Sequence, residues 1–466
     1  MGAGLGLVAF RHRSRTVRRC VPLFLAALAL AAGAPRAAAG PREFKFGADV
    51  LHVEPLVLPG LVPGDEVDDQ CQAWWWGEVG PQKVKVHVEV RMFSKEEYYL
   101  SDPEDVTDYL TWVMRLPDRG GDPTFKFDHV ELLQGKFGWL PYASLVTGPV
   151  PNAQAPKGEI LALNGVLEKY AYSVRVRTLP RLADPERATV LEFLRKGISA
   201  TGAVEDPKWT AAEAEARWTK DAPSSKVAEK AKPVVRTKHY IIFTNSGAGA
   251  LFAKKMEACY DQIQKIYPFP ENASRRLMPV FLFKDRDEYN AFYAKVRSAT
   301  LQEVSGSKGH AWKDYYATYY DSPNDPVHIH EATHQIFRNR LHLSDGGSWF
   351  QEGVAEYICT QPGERRAFAR NAARNGKFIP FSDFIRMEGL LGGTDKVDGL
   401  GAYLQAASLI ELLREDKRFA AKFQRFLHEM GVVGRDDPAG IERTFQEIYG
   451  LDLAALEKEW VKYWAK

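Results

Sequence analysis

Hydrophobic positions in the first half of the chain fall mostly on alternate residues. Between 83 and 92, Val84, Val86, Val88, Val90 and Met92 alternate with Lys, His, Glu and Arg, the period of two expected of a strand with one buried face. Residues 170–177 repeat the pattern. Asp184-Pro185-Glu186 then reads as a helix start, an N-cap followed by proline in the first turn, with Val190, Leu191, Phe193, Leu194 and Ile198 as its buried stripe. Residues 41–202 are therefore expected to form a β-rich α+β domain. Within it Trp74, Trp75 and Trp76 are consecutive; on a strand they point alternately to its two faces, which predicts core packing with one exposed ring and no flat stacking platform.

From 203 to 236 the sequence turns to Ala, Glu, Lys, Ser and Pro, the composition of a partly helical linker. Beyond it the pattern predicts β, α, β, α, β. Residues 239–244 form a strand, and Leu251, Met256, Cys259, Tyr260, Ile263 and Ile266 recur at helical spacing. A continuous apolar strand follows at 278–283, a short helix at 285–293 and an aromatic strand at 311–320. Leu453, Leu456, Trp460 and Trp464 make the inner stripe of a closing amphipathic helix.

The N-terminus changes how composition is read. Five arginines from Arg11 to Arg19 precede an apolar run at 21–34 and the small residues Ala37-Ala38-Ala39, the layout of a secretory signal peptide over 1–40. The apolar run is 14 residues long, short of the roughly 20 that span a bilayer. The expectation is an exported protein, periplasmic, cell-envelope or extracellular, with no membrane span once the signal is removed. Residues 1–40 hold six arginines and no acid, so the mature chain carries 56 basic against 60 acidic residues. That mild acidity, with no basic run interleaved with aromatics, excludes nucleic acid as a partner, and no phosphate-binding glycine loop is present. Removal of Cys20 leaves Cys71, Cys259 and Cys359, too few and too scattered for a disulfide framework.

Candidate chemistry is concentrated between 325 and 357. His330-Glu331-Ala332-Thr333-His334 is H-E-x-x-H, which on a helix sets two imidazoles one turn apart, able to reach one ion, with Glu331 beside a metal-bound water. Asp325-Pro326 supplies the N-cap and first-turn proline of such a helix. The motif alone also fits two histidines hydrogen-bonded on a partly buried helix. A catalytic zinc needs one further protein ligand and an open position. Phe337 and Arg340 stand where the metzincin pattern needs Gly and His, so that solution is excluded. Ser348 with Gln351 three residues on reads as a capping box starting a second helix, which places Glu352 and Glu356 one turn apart on one face. His342 and Asp345 lie before that helix and are competing third ligands.

H-E-x-x-H followed by Trp349-x-x-Glu352-Gly353-x-Ala355-Glu356-Tyr357 resembles the gluzincin metallopeptidases, the clan of thermolysin and the alanyl-type aminopeptidases, and is similar to the peptidase MA-like domains of secreted bacterial proteins. The likeness covers roughly 236–466 and leaves 41–202 without a role. It implies a thermolysin-like catalytic domain at 237–466, a small sheet with an active-site helix and a helical C-terminal lobe. It implies Zn²⁺ held by His330, His334 and Glu352, with Glu356 orienting a ligand histidine and Glu331 as general base for hydrolysis of a peptide or protein. Seventeen residues separate His334 from Glu352, one fewer than in the aminopeptidases, a difference Gly346-Gly347 can absorb. The segment around Tyr403 is similar to the aminopeptidases' oxyanion tyrosine segment; Tyr403 either serves there or packs with Leu404, Leu409 and Leu412. The clan's substrate-pairing edge strand falls at Gly309-His310-Ala311, where His310 is a further candidate donor or a surface residue. His328 points away from the ligand face. The aminopeptidases' substrate-amine signature is absent, which favours endopeptidase action. The alternative is a catalytically silent zincin scaffold or a binding protein of the cell envelope.

Overall fold

The alternation centred on Val88 forms the strand Val84–Ser94, third in a seven-stranded antiparallel sheet. In order the strands are Val62–Pro63, Cys71–Val79, Val84–Ser94, Tyr170–Leu179, Glu159–Val166, Ala143–Pro149 and His129–Leu132. Val84, Val86, Val88, Val90 and Met92 are all buried, and with Val174, Val176, Leu161 and Leu163 they make one core face. The helix Asp184–Lys196 covers that face with Val190, Phe193 and Leu194. Ile198, expected on this helix, instead opens the strand Ile198–Thr201, because the chain leaves the helix at Gly197 and pairs with Asp49–Val53. Trp75 packs half-buried on the core while Trp76 is exposed.

The structure, a computed structural model, describes residues 42–466 except 47–48, 64–70, 117–120, 123, 134–142, 151–157, 168, 202–207, 230–233 and 270–274. The expected signal segment 1–40 lies outside the described residues. No described helix is long and apolar enough to cross a membrane.

A second sheet has five strands, in the order Val235–Arg236, Tyr240–Thr244, Met278–Phe283, Tyr315–Tyr319 and Gly309–Trp312. Its three inner strands are parallel and its outer pairs antiparallel. The inner strands are continuously apolar because both faces are covered. Ile242, Val280, Leu282 and Tyr316 face the helices Gly249–Ile266 and Val327–Asn339. Ile241, Phe243, Phe281 and Phe283 face Trp218 and Phe292, on the helices Ala211–Asp221 and Arg286–Arg297. The expected linker 203–236 is thus built into this layer in its described part, where buried Ala214 and Trp218 give its helix an apolar stripe. The aromatic run 311–320 is two strands rather than one. Lys313, at φ +52°, turns the chain so that Gly309–Trp312 becomes the outermost strand.

The C-terminal part is helical. Ser348–Cys359, Pro362–Asn375, Gly399–Glu415 and Leu453–Trp464 pack together, the last through Leu453, Leu456, Trp460 and Trp464 as its spacing predicts. The protein is α+β, and its described residues form one compact unit. Charged groups join its two sheet-bearing parts. Asp102, the N-cap of the helix Pro103–Arg115, accepts from the Arg276 amide at 2.9 Å. Arg275 pairs with Asp108, and Arg340, the residue following the helix Val327–Asn339, lies 3.7 Å from Asp105.

One carboxylate at this junction lacks compensation. An oxygen of Glu104 is buried without a hydrogen-bond partner, and burial together with the neighbouring Asp102 charge pushes its pKa up to about 7, despite Arg275. A group raised on folding contributes stability fully below its unfolded pKa near 4.5, and the contribution is lost as pH rises through 7. Glu104→Gln is therefore expected to melt higher than wild type at pH 8 and level with it near pH 4. Parallel melting curves for the two proteins across pH 4–8 would refute the assignment.

Candidate metal centre

The motif helix runs Val327–Asn339, one residue later than the sequence indicates: Pro326, with helical dihedrals, is the cap residue, and Asp325 precedes it, its Oδ1 accepting from the Val327 amide at 3.1 Å. Ile329, Ala332, Ile336 and Phe337 fix one side of it in the core. His330 and His334, one turn apart, occupy another side.

The second helix, Ser348–Cys359, begins differently from expectation. Gly346 (φ +88°) and Gly347 (φ +81°) make the entry turn, and a Cβ on Gly346 would lie 2.7 Å from the Met430 carbonyl oxygen. Gly347 is the cap residue, so Ser348 already lies inside the helix and the expected capping box does not form. The Ser348 hydroxyl donates to the Glu388 carbonyl, and the Gln351 amide donates to the carbonyls of Leu343 and Asp345. Gln351 thereby ties down the loop between the two helices, and Glu352 and Glu356 face the histidines.

Three atoms converge. His330 Nε2 lies 3.1 Å from Glu352 Oε2, His334 Nε2 lies 3.4 Å from the same oxygen, and the two Nε2 atoms are 3.2 Å apart. Ligands about 2.0–2.1 Å from a tetrahedral zinc are separated by roughly 3.3–3.4 Å. The triangle fits one face of that tetrahedron and leaves the fourth corner for a non-protein ligand, so His330, His334 and Glu352 could hold such an ion. Burial opposes charge on His330, but hydrogen bonds with Cys359, Glu352 and Glu356 outweigh it and hold its pKa well above the usual range. Glu352 is likewise resisted by burial yet held low by His334 and His330.

Around the triangle, Glu331 Oε2 accepts from the Ala311 amide at 2.7 Å. That N–H, on the outermost strand, is thus directed at the candidate base. Burial raises the Glu331 pKa against the pull of His330 and His334. Tyr403 is half-buried against the core, its ring 6.4 Å from that of His330, and burial and the nearby Glu352 carboxylate push its phenol up. Glu356 Oε2 lies 3.2 Å from His330 Nδ1.

The other candidates are elsewhere. His342 sits, at φ +55°, in the field of Arg275, Arg340 and Asp102, with both ring nitrogens buried and burial pushing its pKa down to about 3. The Asp345 carboxylate, its pKa raised by burial, lies in the field of Arg435 and Arg338. Neither joins the triangle. His310 is neither a surface residue nor a free donor. It is buried, stacked on Tyr293 and placed between the hydroxyls of Tyr289 (3.0 Å) and Tyr315 (3.3 Å). His328 is buried between Tyr316 OH at 2.9 Å and the Ser322 carbonyl at 2.8 Å, away from the ligand face. Cys259 and Cys359 are thiols outside any disulfide. Sequence reasoning missed Cys359 and Thr360, both of which contact Glu356. Their spacing of three and four residues from Glu356 on a helix was the signal that could have found them.

No known family model and no curated protein matches the chain. Among solved structures it is similar to a point mutant of the protein Mog1, at 14% identity over 34% of this chain and 95% of that one, with a TM-score of 0.22. A likeness that shallow carries no argument.

The geometry distinguishes the converging candidates from the ones that lie apart. In a zinc titration, Glu352→Ala is expected to lose more affinity than the ~10–100-fold typical of an outer partner, while His342→Ala and Asp345→Ala retain wild-type affinity. A retained dissociation constant in Glu352→Ala would remove that residue from the set.

Proposed function

We propose that the protein is a zinc-dependent peptidase of gluzincin type, hydrolysing peptide bonds in peptides or proteins outside the cytoplasm. The observation that carries this reading is the triangle of His330, His334 and Glu352 with a carboxylate, Glu331, held beside it by the outermost strand. A zinc ion held there would supply a Lewis acid that polarises the scissile carbonyl and acidifies a water.

This chain's own residues would do the rest. Glu331 takes the proton of the attacking water and delivers it to the leaving amine, and its burial favours a carboxylate basic enough for both steps. The Ala311 N–H fixes one of its oxygens, which limits rotation between accepting and delivering. Tyr403 keeps its phenolic proton, so its hydroxyl can donate to the oxyanion that forms on the carbonyl. The outermost position of Gly309–Trp312 suits an extended substrate, which would add to that edge as a further strand. The aminopeptidases' substrate-amine signature is absent from the sequence, and that favours endopeptidase action. The described residues of the β-rich part meet the far end of the motif helix through Asp105 and Arg340.

Two variants test the reading on a mixed library of internally quenched peptides. Glu331→Gln is expected to keep one equivalent of zinc and lose about 10²–10⁴-fold in kcat. Tyr403→Phe is expected to lose about 10²–10³-fold in kcat with KM little changed. Purified protein without zinc affinity would sink the proposal. Stoichiometric zinc with no turnover by wild type would instead favour the silent scaffold. Unaltered kcat in Tyr403→Phe would return that residue to core packing.

A further inference from the structure

The Glu356 carboxylate is more fully held than a side chain that merely faces a histidine. Its Oε2 lies 3.2 Å from His330 Nδ1 and accepts from the Cys359 thiol at 3.2 Å, while its Oε1 accepts from the Thr360 hydroxyl. Both donors come from the end of the same helix. The helix stops at Cys359, and Thr360 is extended (φ −82°, ψ 138°), which lets its hydroxyl fold back one turn. That ending is gripped from behind. Arg365 Nη1 donates to the carbonyls of Tyr357 at 2.9 Å and Thr360 at 3.2 Å, and its Nε pairs with Glu411. Arg365 and Glu411 are both buried. Glu411 lies on the helix Gly399–Glu415, which also carries Tyr403.

We infer that Cys359 and Thr360, braced by the Arg365–Glu411 pair, are positioning residues that pin Glu356 and so keep the His330 proton on Nδ1, leaving Nε2 as the metal-facing lone pair. The inference rests on the zinc reading above. Which imidazole nitrogen is free is set by the hydrogen bond the other one makes. A carboxylate with one loose oxygen could rotate away from Nδ1, and His330 would lose both its orientation and its tautomer. Three donors on one carboxylate remove that freedom. The thiol serves here as a donor, because the nitrogen it approaches, at 3.6 Å, is Nδ1, whereas the triangle uses Nε2.

The test measures zinc dissociation constants of the full chain by competition with a chromophoric chelator. Cys359→Ala and Thr360→Val each remove one donor and are expected to weaken zinc by about 10-fold or more. Cys359→Ser and Thr360→Ser keep a hydroxyl donor and are expected to bind zinc nearly as wild type does, a rescue that general loosening of the helix would not give. Thr360→Val preserves side-chain shape, so it decides the matter even if Cys359→Ala folds poorly. Unchanged affinity in both donor-less variants would overturn the inference and leave the zinc reading standing. A thiolate-to-metal charge-transfer band in the cobalt-loaded wild type would overturn it by making Cys359 a ligand. A wild type with no zinc affinity would overturn both.

Discussion

Two imidazole nitrogens and a carboxylate oxygen held within 3.4 Å of one another are the constraint on which the rest of this structure depends. Electron-pair donors so close repel unless a proton or a cation lies among them, and burial removes the water that would otherwise screen them. The arrangement persists only if the two helices that carry it cannot move apart. Ile336 and Phe337 key the first helix into the sheet, and Trp349, Phe350 and Val354 key the second into the helical lobe. The site is therefore a property of core packing before it is a property of its polar residues. Side chains in a close-packed interior transmit displacement instead of absorbing it.

The same logic accounts for the architecture around the site. A mixed sheet covered on both faces gives the motif helix a rigid floor, and its outermost strand supplies the amide that holds Glu331. At the other end, Arg340 turns the chain out of that helix beneath the acidic start of Pro103–Arg115. The β-rich part thus fixes the end of an element whose middle bears the histidines.

One buried ion pair links two helices of the C-terminal lobe. Arg365 with Glu411 is a costly pair in a dry interior, and a well-packed apolar pair would often be at least as stable. What an apolar pair could not do is donate to the carbonyls of Tyr357 and Thr360 and so fix how the glutamate helix ends. A pair of this kind defines geometry more than it adds stability.

The local chemistry was legible from sequence alone. Alternation at Val84–Met92, the four-residue spacing of His330 and His334 and the stripe at Leu453–Trp464 each depend on periodicity within one element, and each took the form its pattern specifies. Glu352 and Glu356 could be set on one face for the same reason. Tertiary structure decided what depends on residues distant in the chain. Gly347, not Ser348, caps the second helix, because the turn at Gly346 packs against the Met430 carbonyl. The linker-like stretch became a packed layer, because the sheet's outer face needed Trp218. His310 was drawn into a cluster of tyrosines, and Cys359 and Thr360 came to hold Glu356. Periodicity states which side of an element is apolar; only the packed neighbours determine what that side, and each polar group near it, will meet.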